Sequence, residues 1–297
     1  MFRNPRKAFI AVFAAALALL IAAVAYATLV EPRSISETHL QIEGAPPRAV
    51  FLADLHFHEA NHEYLGRVVD RVNSLDPEIV LIGGDFILDS EDDIQYLSAL
   101  SRLKGRKFAV LGNHDYFAGI DYAGSQRKLQ EKESINLSVS GYDVSPMADE
   151  LTNMAIAGEV KAQLEAAGFT VLENNYSLIR LGGKDYLIIG LDDCWAGRTS
   201  MPALPDADYK ILLLHEPECL AGWGYNLSLT GHTHGGQVIL PLLGPPQAWS
   251  GIYSFSGMLV DEPGKKAYVT RGVGSYPWPG LGEYRFNCPP EIVVVNG

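Results

Sequence analysis

Ala49-Val50-Phe51-Leu52-Ala53-Asp54-Leu55-His56 is the stretch that decides the fold. Its apolar opening is too short for a stable helix and reads as a strand buried on both faces. The strand runs directly into residues that carry chemistry. Asp54 and His56 lie two apart, so in an extended segment they share one side. The same pattern returns twice: Ile79-Val80-Leu81-Ile82 ends in Gly83-Gly84-Asp85, and Phe108-Ala109-Val110-Leu111 ends in Gly112-Asn113-His114-Asp115. Helical stretches separate the runs, roughly Tyr64 to Asn73 and Asp92 to Leu103, with Asp76-Pro77 as a break. Strand-helix-strand-helix-strand predicts a parallel sheet with right-handed crossovers. Such sheets bind ligands at the carboxyl ends of their strands. All three polar clusters sit at those ends, so topology alone predicts that they converge.

The rhythm resumes further on. A helix is expected near Glu159 to Ala167 and a strand at Phe169 to Leu172. Leu178 to Leu181, the turn Gly182-Gly183-Lys184 and Tyr186 to Gly190 read as a hairpin. Ile211-Leu212-Leu213-Leu214 is a buried strand ending in His215-Glu216-Pro217. Leu227 to Thr230 leads into Gly231-His232-Thr233-His234-Gly235-Gly236-Gln237, where two histidines again face one side between glycines. From Gln237 onward the chain is rich in Gly, Pro and aromatic residues, with a closing strand at Val293-Val294-Val295. The apolar runs on either side of an insertion at about 119–153 suggest two sheets packed together. That insertion is polar and carries a helix around Ser125 to Lys132. Following the third cluster directly, it is placed either as a lid or substrate wall or as a surface excursion.

Ala8 to Val30 contains no charged residue. As a helix it spans about 34 Å, against a hydrocarbon core of about 30 Å. Arg3, Arg6 and Lys7 precede it, so the positive-inside rule puts residues 1–7 in the cytoplasm and the rest of the chain outside. Ala25-Tyr26-Ala27 resembles a signal-peptidase site, but the apolar run is longer than a signal h-region, which favours an uncleaved single-pass anchor over 8–30. Residues 31–47 read as a linker with a short strand in it, closed by Pro46-Pro47, and 48–297 as one catalytic domain. Hydrophobic residues are 47% of the chain, enough for a large core. The net charge of −12 excludes a nucleic-acid binder that works by neutralising phosphates. Cys194, Cys219 and Cys288 form neither a zinc ribbon nor a disulfide framework, and one disulfide among them stays open.

The clusters together offer Asp54, His56, Asp85, Asn113, His215, His232 and His234, with His114 and Asp115 beside them. Five of the eight histidines fall at the ends of apolar strands. Two carboxylates, an amide and four imidazoles exceed what one metal with an open position needs, and suit two ions bridged by a shared carboxylate. Two ions about 3.5–4 Å apart can hold a hydroxide and clamp a phosphoryl group. Oxygen and imidazole donors without thiolate favour Mn, Fe or Zn.

In this order the blocks Asp54-Leu55-His56, Gly84-Asp85, Gly112-Asn113-His114-Asp115, His215 and Gly231-His232-Thr233-His234 resemble the signature of the calcineurin-like metallophosphoesterases. Gly235-Gly236-Gln237, Thr270-Arg271-Gly272-Val273-Gly274 and Arg285-Phe286-Asn287-Cys288-Pro289-Pro290-Glu291-Ile292 are similar to a bacterial, membrane-anchored branch. That branch includes broad phosphodiesterases and relatives that hydrolyse UDP-2,3-diacylglucosamine in lipid A synthesis. The resemblance implies an α/β sandwich of two sheets after one N-terminal transmembrane helix in the bacterial inner membrane, and the charge pattern ahead of that helix puts the catalytic domain on the extracytoplasmic side. It implies a phosphate-ester substrate, with a lipid-linked one favoured by the anchor. It implies Asp54, His56 and His234 on a first metal, Asp85 bridging, and Asn113, His215 and His232 on a second. It implies His114 as the general acid or a transition-state stabiliser, with Asp115 nearby as a further catalytic residue. Relatives often carry an aspartate three residues after the bridging one. Here that position is Leu88 and Asp89 follows, so Asp89 receives no role. A non-catalytic metal-binding receptor module on the same fold is the alternative of another class, marked by lost ligands, and none is lost here.

Outside the set, His58 reads as a loop histidine. Trp195, Trp249 and Trp278 are expected in the core before a pocket. Arg198, Arg271 and Arg285 read as phosphate binders or as ion-pair partners of the abundant acids.

Overall fold

Each apolar run becomes a strand with two dry faces. The computed structural model describes residues 5–250, 255–278, 280 and 282–297; Arg3 lies outside them. In chain order the elements are α1 (Pro5–Leu29), β1 (Ser36–Gln41), β2 (Ala49–Leu52), α2 (His62–Ser74), β3 (Ile79–Gly83), a 3-10 helix (Glu91–Arg102) and β4 (Arg106–Val110). The insertion holds α3 (Tyr122–Glu131), and α4 (Met154–Ala166) and β5 (Phe169–Val171) follow it. The second half contributes β6 (Asn175–Leu181), β7 (Lys184–Gly190), β8 (Tyr209–Leu213), β9 (Leu227–Thr230), β10 (Gly257–Glu262), β11 (Lys265–Val269) and β12 (Glu291–Asn296).

Two six-stranded sheets result, ordered β1-β12-β2-β3-β4-β5 and β10-β11-β9-β8-β7-β6. β2 to β5 run parallel, as do β7, β8, β9 and β11. Side-chain alternation sorts the core. Phe51, Leu81, Phe108 and Val110 meet Ile188, Ile211, Leu213 and Leu229 between the sheets. Val50, Leu52, Val80, Ile82 and Ala109 point the other way, onto the helices. α2 buries Tyr64, Leu65, Val68, Val69 and Val72 along one face. Asn153 caps α4 by accepting from the amides of Ala155 and Ile156. The sandwich of two α/β sheets expected from the strand rhythm is therefore the fold.

Three local features are settled by the packing. The helix over 92–103 is a 3-10 helix, because its buried Ile94, Leu97 and Leu100 repeat every three residues, the period that aligns on a 3-10 helix. The short strand expected within the linker is β1, an edge strand paired in parallel with β12 from Ser36↔Glu291 to Gln41↔Asn296. Its half-exposed polar residues carry no strong strand signal; its partner at the far end of the chain supplies the stability. The β10–β11 hairpin lies in the Gly- and Pro-rich region where the sequence gives no clear alternation.

α1 is apolar from Ala8 onward, and none of its most hydrophobic window is buried. Its end is tied to the sandwich. The Arg285 amide donates to the Ala27 carbonyl at 2.8 Å, and the Cys288 amide donates to the buried Glu31 carboxylate at 2.5 Å.

Candidate metal centre

The donor-bearing turns leave the carboxyl ends of β2, β3, β8 and β9, and the turn after β4 joins them. Asp54, His56, Asp85, His232 and His234 all adopt left-handed backbone, with φ of +54°, +46°, +57°, +68° and +49°. For non-glycine residues that conformation costs about 1–2 kcal/mol each, and such strain gathers where function over-determines the backbone. The turns interlock. The Asp54 amide donates to the Gly84 carbonyl and the His56 amide to the Asp85 carbonyl, both at 3.0 Å. The His232 amide donates to Asp54 Oδ1 at 2.8 Å, and the His114 amide to Asp85 Oδ1 at 2.9 Å. Gly84, at φ +95°, is required by this crowding: a Cβ there would lie 2.7 Å from both the Gly112 amide nitrogen and His215 Nδ1.

Seven side chains converge as a result. His56 Nε2 faces His234 Nε2 at 2.9 Å and Asp85 Oδ2 at 3.5 Å. Asp85 Oδ2 is 3.1 Å from His215 Nε2. Asp54 Oδ1 is 3.8 Å from His234 Nε2 and 4.0 Å from His215 Nε2. Asn113 Oδ1 meets His232 Nδ1 at 3.0 Å. Donor atoms of Asp54, His56 and His234 lie within 4.8 Å of one another, as do those of Asp85, His215 and His232, and those of His56, Asp85 and His114. Asp85 is common to the second and third groups.

The surroundings fit divalent cations. Two ring nitrogens facing each other at 2.9 Å must share a proton or a cation. Asp54 Oδ2 is buried with no hydrogen-bond partner, a costly state that a cation relieves. Carbonyls hold the outer nitrogens: Ile87 takes His56 Nδ1, Gly83 takes His215 Nδ1 at 2.6 Å, and Leu88 takes His114 Nδ1. This fixes the tautomer that turns each Nε2 lone pair inward.

The electrostatics point the same way. Burial, with His114 nearby, pushes His56 down to about 3, so it is a neutral donor. Burial and the adjacent His56 hold His234 well below the usual imidazole range, and burial lowers His232. Burial opposes charge on His215, but Asp85, Glu216 and Asp54 outweigh it and raise the imidazole. Burial pushes Asp54 up to about 7 against the pull of His215. For Asp85 the cost of burial is overcome by His215 and His114, and it lies well below the carboxylate range.

A cleft of about 560 Å³ opens over these donors. Asp85, Asn113, His114, His232 and His234 lie at its base, with Ile120, Leu129, Trp195, Tyr276 and Trp278 among its walls. The insertion thus forms one wall through Ile120 and Leu129 rather than a detached excursion. Trp195 packs in the core as expected and also borders the cleft, whereas Trp278 is exposed at its rim; the Trp249 side chain lies outside the described atoms.

Asp115 does not take the position expected of a catalytic partner. It is absent from the cleft lining and fully buried. Its Oδ1 accepts from the amides of Phe86 and Ile87, and its Oδ2 from that of Gly112. On the short 3-10 turn of 113–116, adjacent side chains diverge, so His114 faces the cleft while Asp115 ties two turns together from behind. Burial and the nearby Asp85 raise its carboxyl to about 7.

The arginines are likewise structural. Arg198 pairs with Asp192 at 2.8 Å and Arg271 with Glu291 at 3.1 Å. Arg285, fully buried, donates to the carbonyls of Arg271, Gly274 and Cys288 and lies 3.4 Å from His234 Nδ1. His58 contacts Glu283 at 3.3 Å, apart from the donor groups.

Sequence reasoning missed Glu218. Its Oε1 is 3.6 Å from His232 Nε2 and accepts from Trp195 Nε1 at 3.3 Å. A disulfide between Cys194 and Cys219 holds this corner, with Trp195 edge-on to His232 at 4.5 Å, while Cys288 is a buried free thiol. No local spacing signals the pairing; the adjoining loops after β7 and β8 create it.

Residues 47–236 match the calcineurin-like phosphoesterase family. The chain is 29% identical over 263 residues to phosphodiesterase YaeI of Escherichia coli K12, covering 85% of this chain and 82% of that one. It is 28% identical over 293 residues to metallophosphoesterase YkuE of Bacillus subtilis, covering 91% and 87%. To the UDP-2,3-diacylglucosamine pyrophosphatase LpxG of Chlamydia trachomatis it is 27% identical over 287 residues, covering 84% and 83%.

Proposed function

Because this chain belongs to the calcineurin-like phosphoesterase family, we propose that it hydrolyses a phosphodiester or pyrophosphate bond of a lipid-linked or membrane-proximal substrate. In this reading Asp54, His56 and His234 hold one divalent cation, Asn113, His215 and His232 hold another, and Asp85 bridges them. The observation that carries it is the pair of buried donor groups, Asp54-His56-His234 and Asp85-His215-His232, at the base of one cleft. When bound, such cations polarise phosphoryl oxygens and lower the pKa of water, and Mn, Fe and Zn suit these donors.

The chain's own residues do the rest. His114 faces the cleft with Nδ1 held by the Leu88 carbonyl, so its other nitrogen is placed to give a proton to the leaving oxygen. Ile120, Leu129, Trp195 and Trp278 exclude water and receive the apolar part of the substrate. The apolar α1 supports an anchor in the bacterial inner membrane. The Cys194–Cys219 disulfide, with Arg6 and Lys7 ahead of the apolar run over 8–30, supports an extracytoplasmic domain.

The similarity to LpxG supports a narrower second reading, hydrolysis of UDP-2,3-diacylglucosamine. It conflicts with an extracytoplasmic domain, because UDP-sugars are made in the cytoplasm. The test is to supply manganese and, separately, UDP-2,3-diacylglucosamine and bis(p-nitrophenyl) phosphate. UMP release selects the second reading and reverses the topology. Cleavage of the artificial diester alone selects a phosphodiesterase with another substrate. Cleavage of neither by metal-loaded protein overturns the enzyme reading and leaves the receptor module.

A further inference from the structure

Beyond the end of α1, two turns of the sandwich carry exposed apolar side chains, of which Leu242 and Leu243 lie outside the cleft. Residues 235–260 contain no Asp, Glu, Lys or Arg. Within them Leu240 to Gly244 close a tight turn: the Leu240 amide donates to the Gly244 carbonyl at 3.0 Å, and the Gly244 amide returns to the Leu240 carbonyl at 2.9 Å. Pro241, Pro245 and Pro246 stiffen it. At its tip Leu242 is 105% exposed and Leu243 63%. A second turn, closed by Trp278 and Gly282, presents Trp278 at 56% exposure. Isolated exposed apolar residues are ordinary, but two adjacent leucines on a proline-stiffened tip are not.

Both turns connect to the anchor through one short segment. The Arg285 amide bonds the Ala27 carbonyl of α1, and the next residue, Phe286, bonds both Gln237 and Ile239, from which the first turn departs. Leu242 is three residues beyond Ile239, at most ~11 Å along the chain. Gln237 also clasps Tyr276, at the base of the second turn, through its side-chain amide. Arg285 reaches His234 from the same place. The end of the apolar helix, the two turns and the donor cluster are therefore neighbours, and Trp278 belongs to the second turn and to the cleft wall alike.

We propose that the 240–244 turn and Trp278 are a second membrane contact, inserting into the outer leaflet beside α1 and setting the cleft mouth on the bilayer surface. The occupant is lipid because the patch continues from the end of a helix long and apolar enough to span a membrane. The chain's net charge of −12 leaves apolar insertion, not attraction to anionic headgroups, as the binding force. Tryptophan suits the interfacial position. The inference rests on the anchored reading above but not on any substrate, so its test is independent of catalysis.

The full chain carrying Leu242→Cys, and separately Leu243→Cys, is labelled with an environment-sensitive fluorophore and reconstituted in phosphatidylethanolamine–phosphatidylglycerol vesicles. Leu20→Cys in α1 serves as the inserted reference and Leu178→Cys, exposed on β6, as the aqueous one; label on the unsubstituted chain gives the Cys288 background. The expected result is a blue-shifted emission at 242 and 243, at least halved by shallow spin-labelled lipid, while 178 is unaffected. Water-like emission at 242 and 243 with 20 quenched overturns the second contact. Water-like emission at all four overturns it together with the anchor. Hydrolysis of a soluble phosphodiester, measured on the same preparations, reports separately on the proposed activity.

Discussion

Replacing Asp85 with Asn separates the bridging assignment from every weaker reading of the centre. The substitution is isosteric and keeps the oxygen that accepts the His114 amide at 2.9 Å. It removes the one negative charge lying 3.1 Å from His215 Nε2 and 3.5 Å from His56 Nε2, and turns an amide N–H₂ or a weaker oxygen toward them. Loss of an outer-shell partner already weakens metal binding by about 10–100-fold, so loss of a bridging ligand should cost at least about 100-fold. At a metal concentration of about 100 times the wild-type Kd, bound metal stabilises the fold by about 2.7 kcal/mol, and after a 100-fold loss by about 0.4 kcal/mol. The difference of about 2.3 kcal/mol corresponds to about 5–9 °C of metal-dependent Tm gain for a domain of this size. The assay is the Tm difference between manganese and EDTA for wild type and Asp85→Asn, with metal per chain measured by elemental analysis. Because each protein is its own reference, a general loss of stability does not imitate the effect. If Asp85→Asn holds two ions per chain and keeps the wild-type gain, Asp85 does not bridge.

Two further outcomes follow from the same geometry. With Asp54 pushed up to about 7 chiefly by burial, the metal-free protein carries it neutral below that pH. A raised carboxyl stabilises the metal-free fold at acid pH and loses that contribution as pH rises through about 7, while cations need the ionised form. The manganese-dependent Tm gain should therefore be larger at about pH 8 than at about pH 5.5, and equal gains would contradict a neutral, buried Asp54. The Cys194–Cys219 bridge closes a separation of 25 residues, so reduction should cost roughly 3 kcal/mol, or about 6–12 °C in Tm. The denatured, unreduced chain should then titrate one thiol, Cys288; titration of all three cysteines before reduction would remove the disulfide and the support it lends to an oxidising compartment.

Much of the fold was legible because its signals are local. The runs 49–52, 79–82 and 108–111 are apolar on both faces, and each is followed at once by its polar turn, so strand and candidate donors are read in the same few residues. The hairpin at 182–184 announces itself with Gly-Gly. Elsewhere the local signals are partial. β1 reads as a short strand within a linker, but nothing local points to its partner β12, and β10 and β11 alternate weakly inside a Gly- and Pro-rich region. Whether the helix over 92–103 is α or 3-10 is not legible, because Ile94, Leu97 and Leu100 fit both periods over so short a span. Adjacency in sequence to His114 suggests a shared function for Asp115, whereas a 3-10 turn sends neighbouring side chains to different sides.

Composition and short-range periodicity specify the apolar helix at the start, most of the strands and helices in order, and which residues are candidate donors. Which donors share a volume was decided by tertiary structure: His56 and His234, 178 residues apart, face each other at 2.9 Å only because the two sheets pack with their carboxyl ends aligned. The same packing set the Cys194–Cys219 bond, brought Glu218 to His232, and made Arg285 the residue where the end of α1 and the donor cluster meet. Contacts of that separation have no signature in any local window, because the chain between their ends is free to vary while the folded distance is fixed by the core.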